Sequence, residues 1–204
     1  MKYSILINSY TGHTAADFSL NNIAATSGRL DLVIRCIIAT FYGNSHLRKN
    51  VDFYAVLNGP PNPPKVIRIN GRKIKVLPNT EKEMARILYD ILKGKEVSGF
   101  TLLNLSFSEI LKNLYLEKYK FIYIIERGND ISKVNFSEKE KYLFILGDQK
   151  GLNKNDENIL KKYNAKEVNL GPISYLTSHC IVILNNELCK KMIVNNDIYA
   201  GGGI

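Results

Sequence analysis

Phe144-Ile145-Leu146-Gly147-Asp148-Gln149-Lys150-Gly151 is an apolar run that stops in a glycine turn, and Val168-Asn169-Leu170-Gly171-Pro172-Ile173-Ser174 repeats the pattern. Short apolar runs closed by glycine turns predict buried parallel strands with ligand-competent loops at their carboxyl ends. Two such loops side by side can hold a nucleotide-like molecule through backbone N–H and C=O groups, with little side-chain chemistry. The apolar run Cys180-Ile181-Val182-Ile183-Leu184 follows and reads as a last strand.

Working outward, strands alternate with helices. Strands are predicted at Tyr3–Ile7, Phe53–Leu57, Thr101–Leu105, Phe121–Ile125, Tyr142–Leu146, Glu167–Leu170 and Ile181–Leu184. Helices are predicted at Gly28–Phe41, Asn79–Lys93, Phe107–Leu116, Glu157–Tyr163 and Glu187–Val194. The first has Leu30, Val33, Ile34, Ile37, Ile38 and Phe41 on one stripe. The second and third open with capping boxes, Thr80-x-x-Glu83 and Ser106-x-x-Glu109. Alternation of this kind predicts an α/β fold with a mainly parallel sheet, whose ligand edge lies at the strands' carboxyl ends. That edge gathers Glu126–Gly128, Gly147–Gly151 and Leu170–Ser174 into one pocket. The segment Asn8–Ser27 is irregular, with at most a turn of helix. The tail Gly201–Ile204 reads as disordered.

Composition narrows the class. The 204 residues suffice for one large or two small packed units, and 45% hydrophobic with 23% charged residues is ordinary for a globular protein. No apolar run reaches the roughly 20 residues of a membrane span, and no secretory leader is evident, so a cytoplasmic location is expected. Three cysteines (Cys36, Cys180, Cys189) without paired spacing argue against a disulfide framework, and no Cys/His spacing suggests a metal.

The net charge is +9, and residues 61–95 carry nine Lys/Arg against three Asp/Glu. A compact basic surface suits a phosphate backbone, although a solvated lysine-rich face has the same composition. Lys65–Leu77 reads as a hairpin around an Asn70-Gly71 type I′ turn, with Arg68 opposite Lys73 and Lys75 opposite Val66. Arg68, Arg72, Lys73 and Lys75 are thereby candidate contacts for the phosphates of a nucleic acid. An edge hairpin guarded by its charges reads equally well.

Three blocks together resemble one family. They are Gly28-Arg29-Leu30-Asp31-Leu32-Val33-Ile34-Arg35-Cys36, then Phe53 to Leu57 with Asn58-Gly59-Pro60-Pro61-Asn62-Pro63-Pro64, then Ile145-Leu146-Gly147-Asp148 with Leu170-Gly171-Pro172 and Ser178-His179-Cys180-Ile181. In this order they are similar to the archaeal-type tRNA pseudouridine-54 N1-methyltransferases of the SPOUT superfamily, over about residues 28–192. Two departures bear on the RNA target rather than the reaction: Gly147-Asp148-Gln149 stands for the family's Gly-Asp-His, and Gly171-Pro172 for its Ser-Pro.

The resemblance implies a single SPOUT domain over residues 1–204, a C-terminal trefoil knot within about 121–194, a homodimer, and S-adenosylmethionine as cofactor. It implies that Gly147 lets backbone approach the cofactor, that Leu170, Gly171, Pro172, Ile173 and Ser174 wrap its adenine with Ile125 and Glu126 alongside, and that Cys180 lines the pocket. It implies tRNA as partner, with another RNA such as ribosomal RNA, or a non-catalytic RNA-binding role on the same fold, as alternatives. Asp31 and Arg35 lie four apart on one helical face and could form an ordinary surface ion pair. Under the resemblance Arg29, Asp31 and Arg35 become catalytic candidates. A carboxylate near N1 of pseudouridine could accept or orient its proton, and arginine could stabilise charge developing on the base carbonyls.

Overall fold

Strand β1 (Lys2–Ser9) is buried at every residue from Tyr3 to Ser9. A strand is buried on both faces only when helices cover both sides of its sheet. The computed structural model, which describes residues 2–43 and 47–195, shows that arrangement. β1 pairs in parallel with β2 (Val51–Leu57) on one side and with β6 (Lys141–Gly147) on the other. β5 (Tyr119–Asp130) runs parallel to β6 and to the edge strand β7 (Lys166–Asn169). Beyond β2, β3 (Lys65–Asn70) and β4 (Phe100–Leu103) add antiparallel neighbours, giving the order β4-β3-β2-β1-β6-β5-β7.

Alternate residues of each strand feed two separate cores. Ile5 and Ile7 of β1 pack with helices α2 (Leu30–Phe41), α3 (Glu81–Leu92) and α6 (Thr177–Asn195). Leu6, Tyr54 and Ile145 pack on the other face with α4 (Phe107–Leu116) and with Leu160 of α5 (Lys154–Lys162). The predicted apolar stripe of α2 is buried apart from half-buried Ile38. The Ser106–Glu109 capping box of α4 is fully formed, and Thr80 caps α3 by accepting from the Glu83 N–H. The irregular segment after β1 holds one short helix, α1 (Ile23–Thr26).

Two predicted elements are different. The expected last strand Ile181–Leu184 lies inside helix α6, which absorbs the predicted closing helix as well. A five-residue apolar run suits a buried helix as well as a strand. Here Ile181, Leu184 and Leu188 are buried at helical spacing while Val182 is 53% exposed. The hairpin at 65–77 is also absent. Its first arm is β3, but the residues after Gly71 form no strand, and β3 pairs with β2 and β4 instead. Arg68 therefore faces Tyr54 and Thr101 rather than Lys73, and Val66 faces Val56 and Leu103 rather than Lys75. Neither Asn70 nor Gly71 takes the positive φ that a type I′ turn requires. Gly71 is needed for close approach: a Cβ there would sit 2.2 Å from the Val51 carbonyl oxygen. The tail Gly201–Ile204 lies outside the described residues.

Candidate active site

The carboxyl ends of β5, β6 and β7 surround a cavity of about 610 Å³. The turn after β6 is held from several directions. Asp148 is buried and accepts from the Lys150 N–H (2.9 Å) and from the Tyr10 N–H (3.2 Å). Its own carbonyl accepts from the Gly151 N–H at 3.0 Å, and Gly151 has φ +74°. A Cβ on Gly147 would lie 2.2 Å from the Gly151 carbonyl carbon, so only glycine lets the turn close. Thr177 at the start of α6 donates to the Gly147 carbonyl (3.2 Å).

On the facing side β5 leaves its ladder with β7 between Ile124 and Asn129, which carries Ile125 to Gly128 out of register. Arg127 is fixed there by Glu157 (2.9 Å) and Glu167 (2.8 Å). After β7, Gly171 (φ +125°) turns the chain, and Ser174 donates to Glu126 at 2.9 Å.

Of the residues expected around the cofactor, Ile125, Glu126, Gly147, Leu170, Gly171, Ile173, Ser174 and Cys180 line this cavity, and Pro172 does not. Cys180 is on the first turns of α6, not on a strand. Burial, and then the charge of Glu126, push its thiol up to about 11. It stays protonated at neutral pH and is no nucleophile. Leu32 of α2 and His179 also line the cavity.

The second cluster sits at the start of α2. Gly28 (φ +62°) and Arg29 (φ +73°) are consecutively left-handed, an arrangement that costs a non-glycine residue roughly 1 kcal/mol or more. Gly28 is forced by packing, since a Cβ would lie 1.7 Å from the Thr11 carbonyl oxygen. Arg29 is held by a two-pronged grip on Asp31, Nε at 3.0 Å and Nη2 at 3.1 Å. Arg35 reaches the same carboxylate from the next turn at 2.9 Å and Glu81 of α3 at 3.8 Å. Burial pushes the Asp31 carboxyl up, but the hydrogen bonds and charge of Arg29, joined by Arg35, outweigh it and hold it below the usual range. Asp31 and Arg35 border a separate depression of about 420 Å³ with Leu20–Ala24, Glu81 and Lys82. The first turn of α2 therefore stands between two hollows, with Leu32 on one and Asp31 on the other.

The basic candidates are elsewhere. Because β3 runs antiparallel to β2, Arg72, Lys73 and Lys75 follow its far end, across the sheet from the cavity. All three are exposed. Arg68 is engaged: its guanidinium lies 5.7 Å from the Tyr54 ring centre and 3.8 Å from Asp52, whose carboxylate also meets Lys2 at 3.5 Å.

Sequence reasoning missed the strap 10–14, which joins the two clusters. The Tyr10 hydroxyl donates to Asp156 (2.5 Å) and accepts from the Asn153 N–H (2.9 Å). Thr11 donates to the Gly28 carbonyl (2.7 Å), and Thr14 to that of Gly59 (3.1 Å). No local pattern marks these residues, since every partner is distant in the chain.

Residues 1–193 match the model of a family described as "Putative SAM-dependent RNA methyltransferase". The chain belongs to this family. An enzyme named tRNA (pseudouridine(54)-N(1))-methyltransferase from Pyrococcus abyssi is 35% identical over 194 residues, covering 88% of this chain and 94% of the relative. One of the same name from Methanocaldococcus jannaschii is 32% identical over 197 residues, covering 88% and 93%. The crystal structure of Archaeoglobus fulgidus Nep1 bound to S-adenosylhomocysteine shares the fold, with TM-score 0.67 and 10% identity over 94% of this chain and 98% of that one.

As a SPOUT-fold, S-adenosylmethionine-dependent RNA methyltransferase, the protein has a cavity that fits its cofactor. The volume is within the usual few hundred to 1,000 Å³ of small-molecule sites. The wall mixes apolar side chains with polar groups, and at Gly147 the turn leaves no room for a side chain. Among the described residues no group of His, Cys, Asp or Glu could hold a metal ion, and no helix is long and apolar enough to cross a membrane.

Proposed function

We propose that this methyltransferase acts on N1 of pseudouridine at position 54, in the T-loop of tRNA. The observation that carries the reaction is the first turn of α2, where Leu32 walls the cofactor cavity and Arg29, Asp31 and Arg35 form one charged cluster beside it. The target is supported by the relatives of that name, which match nearly nine tenths of the chain.

S-adenosylmethionine, held by the loops around Gly147 and Leu170–Ser174, would supply an electrophilic methyl group for N1, whose proton would leave to solvent. Arg29 and Arg35 lower the cost of negative charge on the base carbonyls. Asp31, with a carboxyl held low by two guanidinium groups, is a weak base. Its part is to aim Arg29 and Arg35. The cavity's walls position the methyl group against the base, and positioning supplies most of the rate.

The exposed Arg72, Lys73 and Lys75 hold phosphates of the RNA away from the reacting nucleotide. Arg68, engaged with Tyr54 and Asp52, serves packing. A second copy of the chain covers the apolar Ile173, Leu176 and Val182, which are 62%, 61% and 53% exposed, the first two on the cavity wall. The return of the chain from edge strand β7 past Gly147 to pack α6 on α2 supports a knotted closure.

The test is incubation with labelled S-adenosylmethionine and two T-arm stem-loops, one carrying pseudouridine and one uridine. Label entering only the pseudouridine RNA is expected. Equal labelling of both would overturn the N1 assignment, and cofactor binding without labelling of either would overturn the tRNA target.

A further inference from the structure

The carboxylates around the cofactor cavity are unequally satisfied, and Lys150, a cation on the same wall, makes no ion pair among the described residues. Asp148 spends its carboxylate on two backbone N–H groups. Glu157 accepts from the Tyr123 hydroxyl (3.1 Å) and from Arg127 (2.9 Å). Arg127 forks onward to Glu167, so it is not free to neutralise its neighbour. Glu126 differs. Its hydrogen bond comes from a neutral donor, the Ser174 hydroxyl at 2.9 Å, and among the described residues it makes no ion pair.

Glu126 is also placed by the backbone to face the cavity. The break in the β5–β7 ladder between Ile124 and Asn129 frees it from pairing with β7 while it lines the wall. Ser174, from the loop after β7, reaches across to it, so the carboxylate spans two of the three loops that define the site. Its charge is felt at Cys180, whose thiol it helps to raise after burial.

We propose that Glu126 is the counter-charge to the cofactor's sulfonium, so that the site prefers the positively charged methyl donor over the neutral thioether product. This rests on the cavity being the cofactor site. Methyl transfer removes one positive charge from the cofactor. A fixed carboxylate therefore stabilises the donor and not the product, and assists exchange after each turnover. Glu126 is exposed, so water and salt screen it, and the preference it confers is a matter of several-fold rather than thousands.

A carboxylate here could instead accept from ribose hydroxyls or pair with the α-ammonium. Donor and product share both of those groups, and that separates the readings. The experiment is calorimetric titration of wild type and Glu126→Gln with S-adenosylmethionine and with S-adenosylhomocysteine, at low and high salt. The variant should weaken the donor by about 3- to 10-fold and the product by less than about 2-fold, and salt should narrow the preference of wild type. Equal weakening of both ligands, or of neither, overturns the assignment. Wild type binding neither ligand would instead overturn the reading of the cavity.

Discussion

The cavity proposed for the cofactor and the cluster at the start of α2 adjoin each other and are built on opposite plans. The turn at the cavity's edge is a backbone device, closed by Gly147 and Gly151 with the Asp148 side chain spent on two N–H groups. The α2 cluster is made of side chains, with two guanidinium groups on one carboxylate over a left-handed Arg29. A backbone-built site is fragile at glycine and tolerant at most other positions. A site built from three side chains is fragile at each of them.

The largest expected effect breaks the backbone plan. Gly147→Ala drives a methyl group into Gly151 and should lower cofactor affinity at least about 100-fold in calorimetry, with a loss of roughly 1–3 kcal/mol in stability. Affinity within a few-fold of wild type would show that the turn is not the binding element.

Asp31→Asn attacks the other plan. It should cut methyl transfer by about 100-fold while leaving cofactor affinity within about 2-fold, because the cluster lies outside the cavity. It should also remove a pH dependence. The folded pKa of Asp31 is depressed, so its ion pairs stabilise the fold above the unfolded carboxylate pKa, and that stability is lost as pH falls through the lower folded value. Thermal melts of wild type should therefore fall more steeply towards acid than those of Asp31→Asn.

Arg29→Gly sharpens the comparison. Glycine relieves the left-handed strain, so stability should change by less than about 1 kcal/mol while methyl transfer drops by about 10-fold or more. A stability loss of several kcal/mol with unchanged turnover would make Arg29 a structural residue. The smallest effect is at Cys180. In a Cys189→Ser background, alkylation of Cys180 near pH 8 should be slow, since its thiol is raised to about 11, and Cys180→Ser should leave turnover within about 3-fold.

The glycine turns, the capping boxes and the alternation of strands and helices are local signals, and the α/β layering with its ligand edge followed from them. The same local signals misplaced two elements. Ile181–Leu184 has no periodicity long enough to separate strand from helix, and its packing in the core beside α2 decides for the helix. Asn70-Gly71 has the composition of a hairpin turn, but β4 supplies the strand that pairs with β3, and it comes from thirty residues further on.

By itself, then, the sequence determined the fold class, the three cavity loops and the Asp31–Arg35 spacing, because each depends on residues within a few positions of one another. Tertiary structure alone decided that Arg29 closes the same carboxylate from a left-handed backbone, that the strap at Tyr10–Thr14 joins Asp148 and Asp156 to Gly28, and that Arg72, Lys73 and Lys75 lie across the sheet from the cavity. Those contacts link distant segments, and their cost in chain entropy is offset only when both cores have closed around the sheet.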